Sequence, residues 1–229
     1  MSGAPDRSYR TAADLLSAAV GVVGVTFGVL ADSAGLSLAK TMAMSLLVFT
    51  GASQFAAVSV IDDGGTAAAA VGSALLLAAR NALYGPVVAR HLEGGAGRRL
   101  LATQFVIDET TAMASAQADS PTARAAFWRT AIGLYLFWNA GTAVGHVLGG
   151  VIGDPTSWGL DAAFSAAFVA LLVPHLRRTP GRLAAALGAV LALASLPLLP
   201  AGSAYLVAAL AVIPASLADR RATAQRARS

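Results

Sequence analysis

Seven apolar runs dominate the sequence: Leu15–Ala31, Leu36–Ile61, Thr66–Ala89, Thr130–Gly153, Asp161–Leu176, Leu183–Leu199 and Ser203–Leu217. A helix needs about 20 apolar residues to cross the hydrocarbon of a bilayer, with roughly 17 to 25 as the working range. Backbone amides have no water to bond there, so each run must satisfy its own polar groups by forming a helix. Composition leaves little alternative. Only 12% of the 229 residues are charged and 56% are hydrophobic, against roughly 25% charged in ordinary soluble domains. A water-soluble domain of this size cannot hide so much apolar surface, and disordered chains are poor in it. The expected fold class is all-α, a polytopic membrane helix bundle.

Polar punctuation organises the spans. Arginines cluster at Arg90, Arg98 and Arg99, at Arg124 and Arg129, at Arg177, Arg178 and Arg182, and at Arg220, Arg221, Arg226 and Arg228, while the intervening turns hold Asp62, Asp63 and Asp154. Lys and Arg concentrate in cytoplasmic loops of membrane proteins. An eighth stretch, Leu100–Gln117, carries Asp108 and Glu109 at its middle. Placing every basic cluster in the cytoplasm requires this stretch to dip in and return, or to lie as a broken helix. The layout is then seven spans plus one re-entrant or broken helix, with residues 1–13 a polar tail, 14–218 the transmembrane domain and 219–229 a basic cytoplasmic tail. Counting backward puts the amino terminus outside despite Arg7 and Arg10; the alternative is that Leu36–Ile61, which contains Gly51, is itself a hairpin. The net charge of +4 comes in short clusters, unlike the continuous basic face of a nucleic-acid reader. No cysteine is present, which excludes thiolate chemistry and cysteine-ligated metals, and no metal or cofactor is expected.

Small residues suggest how helices pack. Gly21, Gly24 and Gly28 form one ladder, and Gly141, Gly145 and Gly149 another; such faces let backbones approach closely. Gly28-Val-Leu-Ala-Asp32 and Gly150-Val-Ile-Gly-Asp154 are alike, the pattern of an inverted repeat as found in secondary transporters.

Ionisable and amide groups at membrane depth are costly, from about 3 kcal/mol upward for a charge, so each calls for a reason. Gly51, Ser53 and Gln54 sit inside the second run, where a glycine-permitted break would free backbone groups for a ligand. Arg80 and Asn81 lie ten residues before the next basic loop, too deep for the arginine to reach water easily. Its natural partner is Asp108 or Glu109. Adjacent residues on a helix diverge by about 100°, so one acid can pair with Arg80 while the other carries a proton or meets an ammonium. Asn139 and Thr142 follow Trp138, with His146 one turn on; a histidine of this kind is more often a packed hydrogen-bonding group than a relay.

The segments Leu46-Leu-Val-Phe-Thr-Gly-Ala-Ser-Gln-Phe-Ala-Ala57, Arg80-Asn-Ala-Leu-Tyr-Gly85, Asp108-Glu-Thr110, Trp138-Asn-Ala-Gly-Thr142 and Gly159-Leu-Asp161, the last followed by Phe164 and Phe168, occur in that order. Together they resemble the AzlC-type branched-chain amino acid permeases, the azaleucine-resistance family, over about Gly24 to Arg178. One position departs from the family pattern, Ala78 standing where an Asn is expected. The resemblance implies the large subunit of a bacterial inner-membrane exporter of branched-chain amino acids such as valine, working with a small membrane partner of the AzlD type. Its substrate carboxylate would meet the backbone near Gly51 with Ser53 and Gln54, and its ammonium Asp108 or Glu109. Phe49, Phe55, Leu76 or Trp138 would take the side chain. Two other classes compete. An ion channel or assembly subunit would show rings of acids or carbonyl-rich loops, and an intramembrane serine protease would place a base opposite Ser53.

Overall fold

The computed structural model describes residues 5–152 and 179–199, with positions 159, 169, 172–173, 175–177, 207–208, 210–211 and 213–214. Within them the chain is helical: α1 (Pro5–Ser33), α2 (Leu38–Leu47), α3 (Gly51–Asp62), α4 (Ala67–Ala78), α5 (Asn81–Ala89), α6 (Ala96–Thr103), α7 (Asp108–Ser115), α8 (Ser120–Ile152) and α9 (Thr179–Ser195). Three stretches are long and apolar enough to cross a membrane, Tyr9–Ser33, Ala67–Ala89 and Ser120–Val151, and α2 and α9 are shorter apolar helices. The fold is a helical membrane bundle. Most of the runs expected at Asp161–Leu176 and Ser203–Leu217 lies outside the described residues.

The frame is the pair α1 and α8. Buried positions on α1 fall at Ala13, Ser17, Gly21, Gly24, Gly28 and Ala31, a spacing of three and four that keeps one stripe facing a partner. Numbers climb together along the contact: Asp14 with Arg129 at 2.6 Å, Ser17 beside Gly133, Gly24 against Trp138 and Thr142, Gly28 against Thr142 and His146, and Asp32 beside Gly149. The two helices are therefore parallel. A Cβ on Gly28 would stand 2.6 Å from the His146 amide nitrogen, so the glycine ladders are what bring the backbones together. At about 1.5 Å per residue, the 33-residue α8 is roughly 50 Å long and overruns the hydrocarbon.

The second apolar run is two helices. Thr41, Ser45 and Leu46 of α2 meet His146, Thr142 and Tyr135 of α8 in reverse order, so α2 is antiparallel to α8. The chain then turns at Val48–Thr50 and α3 comes back. The Gln54 side-chain amide donates to the Met44 carbonyl at 2.9 Å, and Met44 packs against the cluster of Ala57, Val60 and Ala70. A continuous helix would separate Met44 and Gln54 by about 15 Å. Leu36–Ile61 is thus the hairpin, and each limb spans about half the bilayer. Its two outer corners are alike. Gly35 and Gly64 have φ of 77° and 73°, a region that only glycine enters freely. Leu36 donates to the Ala31 carbonyl and Gly65 to that of Val60, completing Schellman closures.

Leu100–Gln117 is likewise interrupted, as α6 and α7 around Gln104–Ile107. Ala102 and Ala114 fall in one core with Val88, Leu92 and Phe127, so the chain doubles back here too. Ile107 has no polar side chain to cap α7; the Thr110 hydroxyl does the work, accepting from the Ile107 amide and donating to the Phe105 carbonyl. The tips of the two hairpins meet, Gln104 donating to the carbonyls of Leu46 and Leu47.

A parallel α1 and α8 need an odd number of crossings between them. Two re-entrant hairpins and the single pass of α4 with α5 supply that number. Asp14, Glu93, Arg124 and Arg129 are joined at one end of the bundle by ion pairs, with Arg98 over Trp128, and Asp32, Asp62 and Asp63 stand at the other. Because α1 and α8 run the same way, the likeness of Gly28–Asp32 to Gly150–Asp154 relates two parallel helices. An inverted pairing would have to involve residues other than these.

Candidate functional site

A cavity of about 400 Å³ lies at mid-height beside the frame, lined by Val20, Val23, Leu134 and Trp138 of α1 and α8 together with Phe49, Thr50, Gly51, Ala52, Phe55, Arg80, Asn81, Ile107, Asp108 and Glu109. Its size falls in the usual range for small-molecule sites, roughly 300–1,000 Å³. The second group comes from the three places where a helix is interrupted. Residues that open α3 (Gly51, Ala52), α5 (Asn81) and α7 (Asp108, Glu109) all border the space. The amides at a helix start have no acceptor within the helix, and the macrodipole puts partial positive charge there.

Each interruption has a local cause. At Thr50 the backbone is extended (φ −150°, ψ 94°) and its side chain caps no amide, meeting the Ser53 hydroxyl at 2.9 Å instead. Gly51 belongs where it is because a Cβ there would lie 3.1 Å from the Trp138 ring. Between α4 and α5, Ala79 and Arg80 keep right-handed helical dihedrals, but Ala82 and Leu83 donate three residues back to Ala79 and Arg80. Pro86 inside α5 lacks an amide proton and crowds the carbonyl of Ala82, which loosens the preceding turn into this tighter form.

One wall of the cavity is ionic. Arg80 Nη2 is 2.6 Å from Asp108 Oδ2, and the Tyr84 hydroxyl donates to Asp108 Oδ1. Arg80 and Tyr84 are four residues apart and share a helix face, so α5 and the residue that caps it grip both oxygens of one carboxylate. Glu109, turned away by the helical offset, is in no ion pair among the described residues but lines the same cavity. Asn81 Oδ1 and Arg80 Nε are buried atoms without a protein partner among the described residues. The opposite wall is apolar and stiff. Phe27 stacks on Trp138 with centroids 5.8 Å apart and meets Phe55 edge-on at 5.5 Å, while Phe49 contacts Phe105 and Tyr135.

The sequence-predicted residues divide. Gly51, Arg80, Asn81, Asp108 and Glu109 line the cavity. Ser53, Gln54, Asn139 and Thr142 are buried but outside its lining. Ser53 bonds Thr50 and Gln54 bonds Met44, which fastens the hairpin tip. Asn139 donates to the Tyr135 carbonyl of its own helix, and Thr142 accepts from Ser45. Of the expected apolar lining, Phe49, Phe55 and Trp138 are present, whereas Leu76 is 40% exposed and elsewhere. His146 is engaged by Thr41 and Asp32 and Ser53 by Thr50, so serine and histidine are committed to different partners. Sequence reasoning missed Val20, Val23, Ile107 and Leu134, apolar residues with nothing to mark them off from lipid-facing ones. Asp161, Phe164 and Phe168 lie outside the described residues.

The family described as AzlC protein matches residues 16–152. The chain belongs to the AzlC family. All five cavity-lining polar residues lie within the matched span. The chain is 25% identical over 194 residues to the branched-chain amino acid transport protein AzlC of Bacillus subtilis, covering 83% of this chain and 75% of the relative. It is 31% identical over 170 residues to an uncharacterized membrane protein of Archaeoglobus fulgidus, 73% of this chain and 74% of that one. With an uncharacterized membrane protein of Helicobacter pylori the identity is 26% over 179 residues, 77% and 78% of the two chains. No solved structure matches.

Proposed function

We propose that this chain is a secondary transporter that exports branched-chain amino acids such as valine across the bacterial inner membrane, acting with a small AzlD-type membrane subunit. The observation that carries this reading is the cavity, ionic on one wall and aromatic or aliphatic on the other. A branched-chain amino acid is a zwitterion with a short apolar arm, and the two walls suit its two ends. Its carboxylate meets the free amides of Gly51 and Ala52 at the start of α3, an anion site of the broken-helix kind. Its ammonium takes Glu109 and the unpartnered Asn81 Oδ1, while Asp108 stays bonded to Arg80 and Tyr84. The arm lies against Phe49, Phe55, Leu134 and Trp138. No step here makes or breaks a covalent bond, so the protein works by binding and movement. The name of the Bacillus subtilis relative supports this substrate class.

The charge distribution supports a cytoplasmic location for the arginine-rich end of the bundle and an external one for the end with Asp32, Asp62 and Asp63. Lys40, exposed at the start of α2, is the exception at the external end. The amino terminus of α1 is then cytoplasmic, in keeping with Arg7 and Arg10.

Counterflow of radiolabelled leucine in vesicles containing the chain, with and without a small partner subunit, tests the reading. Labelled leucine should exchange against an internal valine pool, and Glu109→Gln should abolish exchange while leaving membrane insertion intact. Exchange that survives Glu109→Gln unchanged overturns the ammonium site; absence of exchange in the native protein under both conditions overturns the transport function.

A further inference from the structure

A second ionisable cluster lies outside the cavity, at the external end of the frame. The His146 side chain on α8 is 10% exposed; its Nε2 is 3.5 Å from Oδ1 of Asp32 on α1, itself 29% exposed. The other ring nitrogen, Nδ1, is 3.3 Å from the Thr41 hydroxyl of α2. One turn along, Ser45 of α2 donates to Thr142 of α8 at 3.2 Å. Four polar side chains and a carboxylate thus sit where α1, α2 and α8 meet, and the cavity uses none of them.

We propose that His146 and Asp32 form a proton-binding site, reached from the external face, whose occupancy sets how tightly the outer hairpin α2–α3 is held against the frame. The proposal rests on the transport reading above and names its coupling ion. Imidazole is the side chain whose charge changes in the physiological range. Neutral His146 donates from Nδ1 to the Thr41 hydroxyl and turns its bare Nε2 toward Asp32. A proton arriving through the more exposed Asp32 binds Nε2 and makes both ring nitrogens donors. The Thr41 hydroxyl, accepting from Nδ1, turns its own proton to the Ser37 carbonyl one turn back, which already accepts from the Thr41 amide. The cation ties the anion on α1 to the hydroxyl on α2, and its loss leaves one neutral hydrogen bond.

Among the described residues few other charges face this group. From α1 it is Asp32. From α2 the facing groups are Thr41 and Ser45, with Lys40 beside them but exposed. Between Thr130 and Ile152, α8 carries no ionisable side chain besides Tyr135 and His146. Also packed on α8 is α7, whose Asp108 and Glu109 lie at the level of Trp138, about 12 Å away along the axis. The cluster reaches the cavity through α2, whose carboxyl end leads into Phe49 and Thr50 of the cavity wall. A change in how α2 sits is a change in that wall.

Two measurements test the proposal. In membrane vesicles from cells producing the protein, leucine counterflow at equal pH is compared with leucine movement driven by a pH gradient. Native protein should show both, while His146→Gln and Asp32→Asn should keep counterflow and lose the response to the gradient. In parallel, nitrogen-15 histidine NMR of the purified protein should show His146 pass from one ring proton to two as the medium is acidified, and Asp32→Asn and Thr41→Val should each alter that change. A gradient response unchanged in both variants overturns the proposal, as does a His146 that holds one protonation state throughout. Absence of counterflow in the native protein defeats the transport reading instead, and the histidine titration still decides whether the proton site exists.

Discussion

The two frame helices, α1 and α8, and the three interrupted units use their small and polar residues in opposite ways. Along α1 and α8, glycines occur inside unbroken helices and serve contact: with no side chain between them, the backbones close to a distance that no larger residue permits. In the α2–α3, α4–α5 and α6–α7 units, breaks occur at Val48–Thr50, Ala79–Arg80 and Gln104–Ile107, and polar groups gather there around a cavity. Lipid offers no hydrophobic drive to bring helices together, so a frame must come from close packing. Backbone polarity is tolerated at depth only where it is enclosed or lines a cavity. Glycine inside a membrane helix therefore has two meanings, and its neighbours decide which applies.

Substitutions can separate these meanings. The largest effect is expected in the frame: Gly28→Leu sets a side chain into the backbone of α8 at Thr142 and His146, and the protein should no longer elute as a single folded species in detergent. Gly51→Val should leave that species intact but push against Trp138, cutting leucine counterflow by about tenfold or more, since it disturbs a preorganised binding wall. A Gly28→Leu protein that folds normally, or a Gly51→Val protein that fails to, would erase the contrast.

Next comes the ionic wall. Arg80→Gln and Asp108→Asn should each lower stability by about 1–2 kcal/mol, the scale of a charged hydrogen bond discounted for exposure of about a third. The double variant should lose less than the sum, read as the shift in melting temperature in detergent. Gly64→Ala, at φ 73° with open space around it, should cost only the strain of the left-handed region, about 1 kcal/mol. Smallest is Asp119, exposed ahead of α8, whose carboxyl is held below its usual value by hydrogen bonds from the Thr122 backbone and side chain. A lowered folded value means the contribution is present above the ordinary carboxylate range and fades as pH falls through it. Asp119→Ala should therefore melt slightly earlier than the native protein at pH 7 and converge with it in acid.

Much of this contrast was legible in the residues. The end of α8 and the doubling-back of Leu100–Gln117 followed from hydropathy and from where the arginines fall, but α8 begins at Ser120, ten residues before the expected Thr130, because its first turns carry Arg124 and Arg129 beyond the apolar run. That Arg80 pairs with one of the two acids and not both followed from helical geometry, which left Asp108 and Glu109 equal; the structure selects Asp108. Leu36–Ile61 stayed open, because 26 residues suit one tilted crossing as well as two half-crossings; what decides is the hydrogen bond from Gln54 to the Met44 carbonyl, which no periodicity encodes. The break before Arg80 has no glycine at it, and its cause, Pro86, is six residues downstream. Gln54 and Asn139 were read as ligands because buried amides in lipid demand a partner; their partners are backbone carbonyls of α2 and of α8 itself. Val20 and Val23 were unreadable as cavity residues, since valine facing lipid and valine facing a cavity are the same letter.

The parallel register of α1 and α8 bears on how the molecule is made. Asp14 and its partner Arg129 are 115 residues apart, so during synthesis the first helix must wait in the bilayer, its glycine groove open to lipid, until α8 has emerged. A chain stopped at Asp119 would hold both hairpins and nothing to lean them on. Quality-control proteases that patrol the membrane would find in that exposed groove a signature of unfinished assembly, and α8 removes it on arrival.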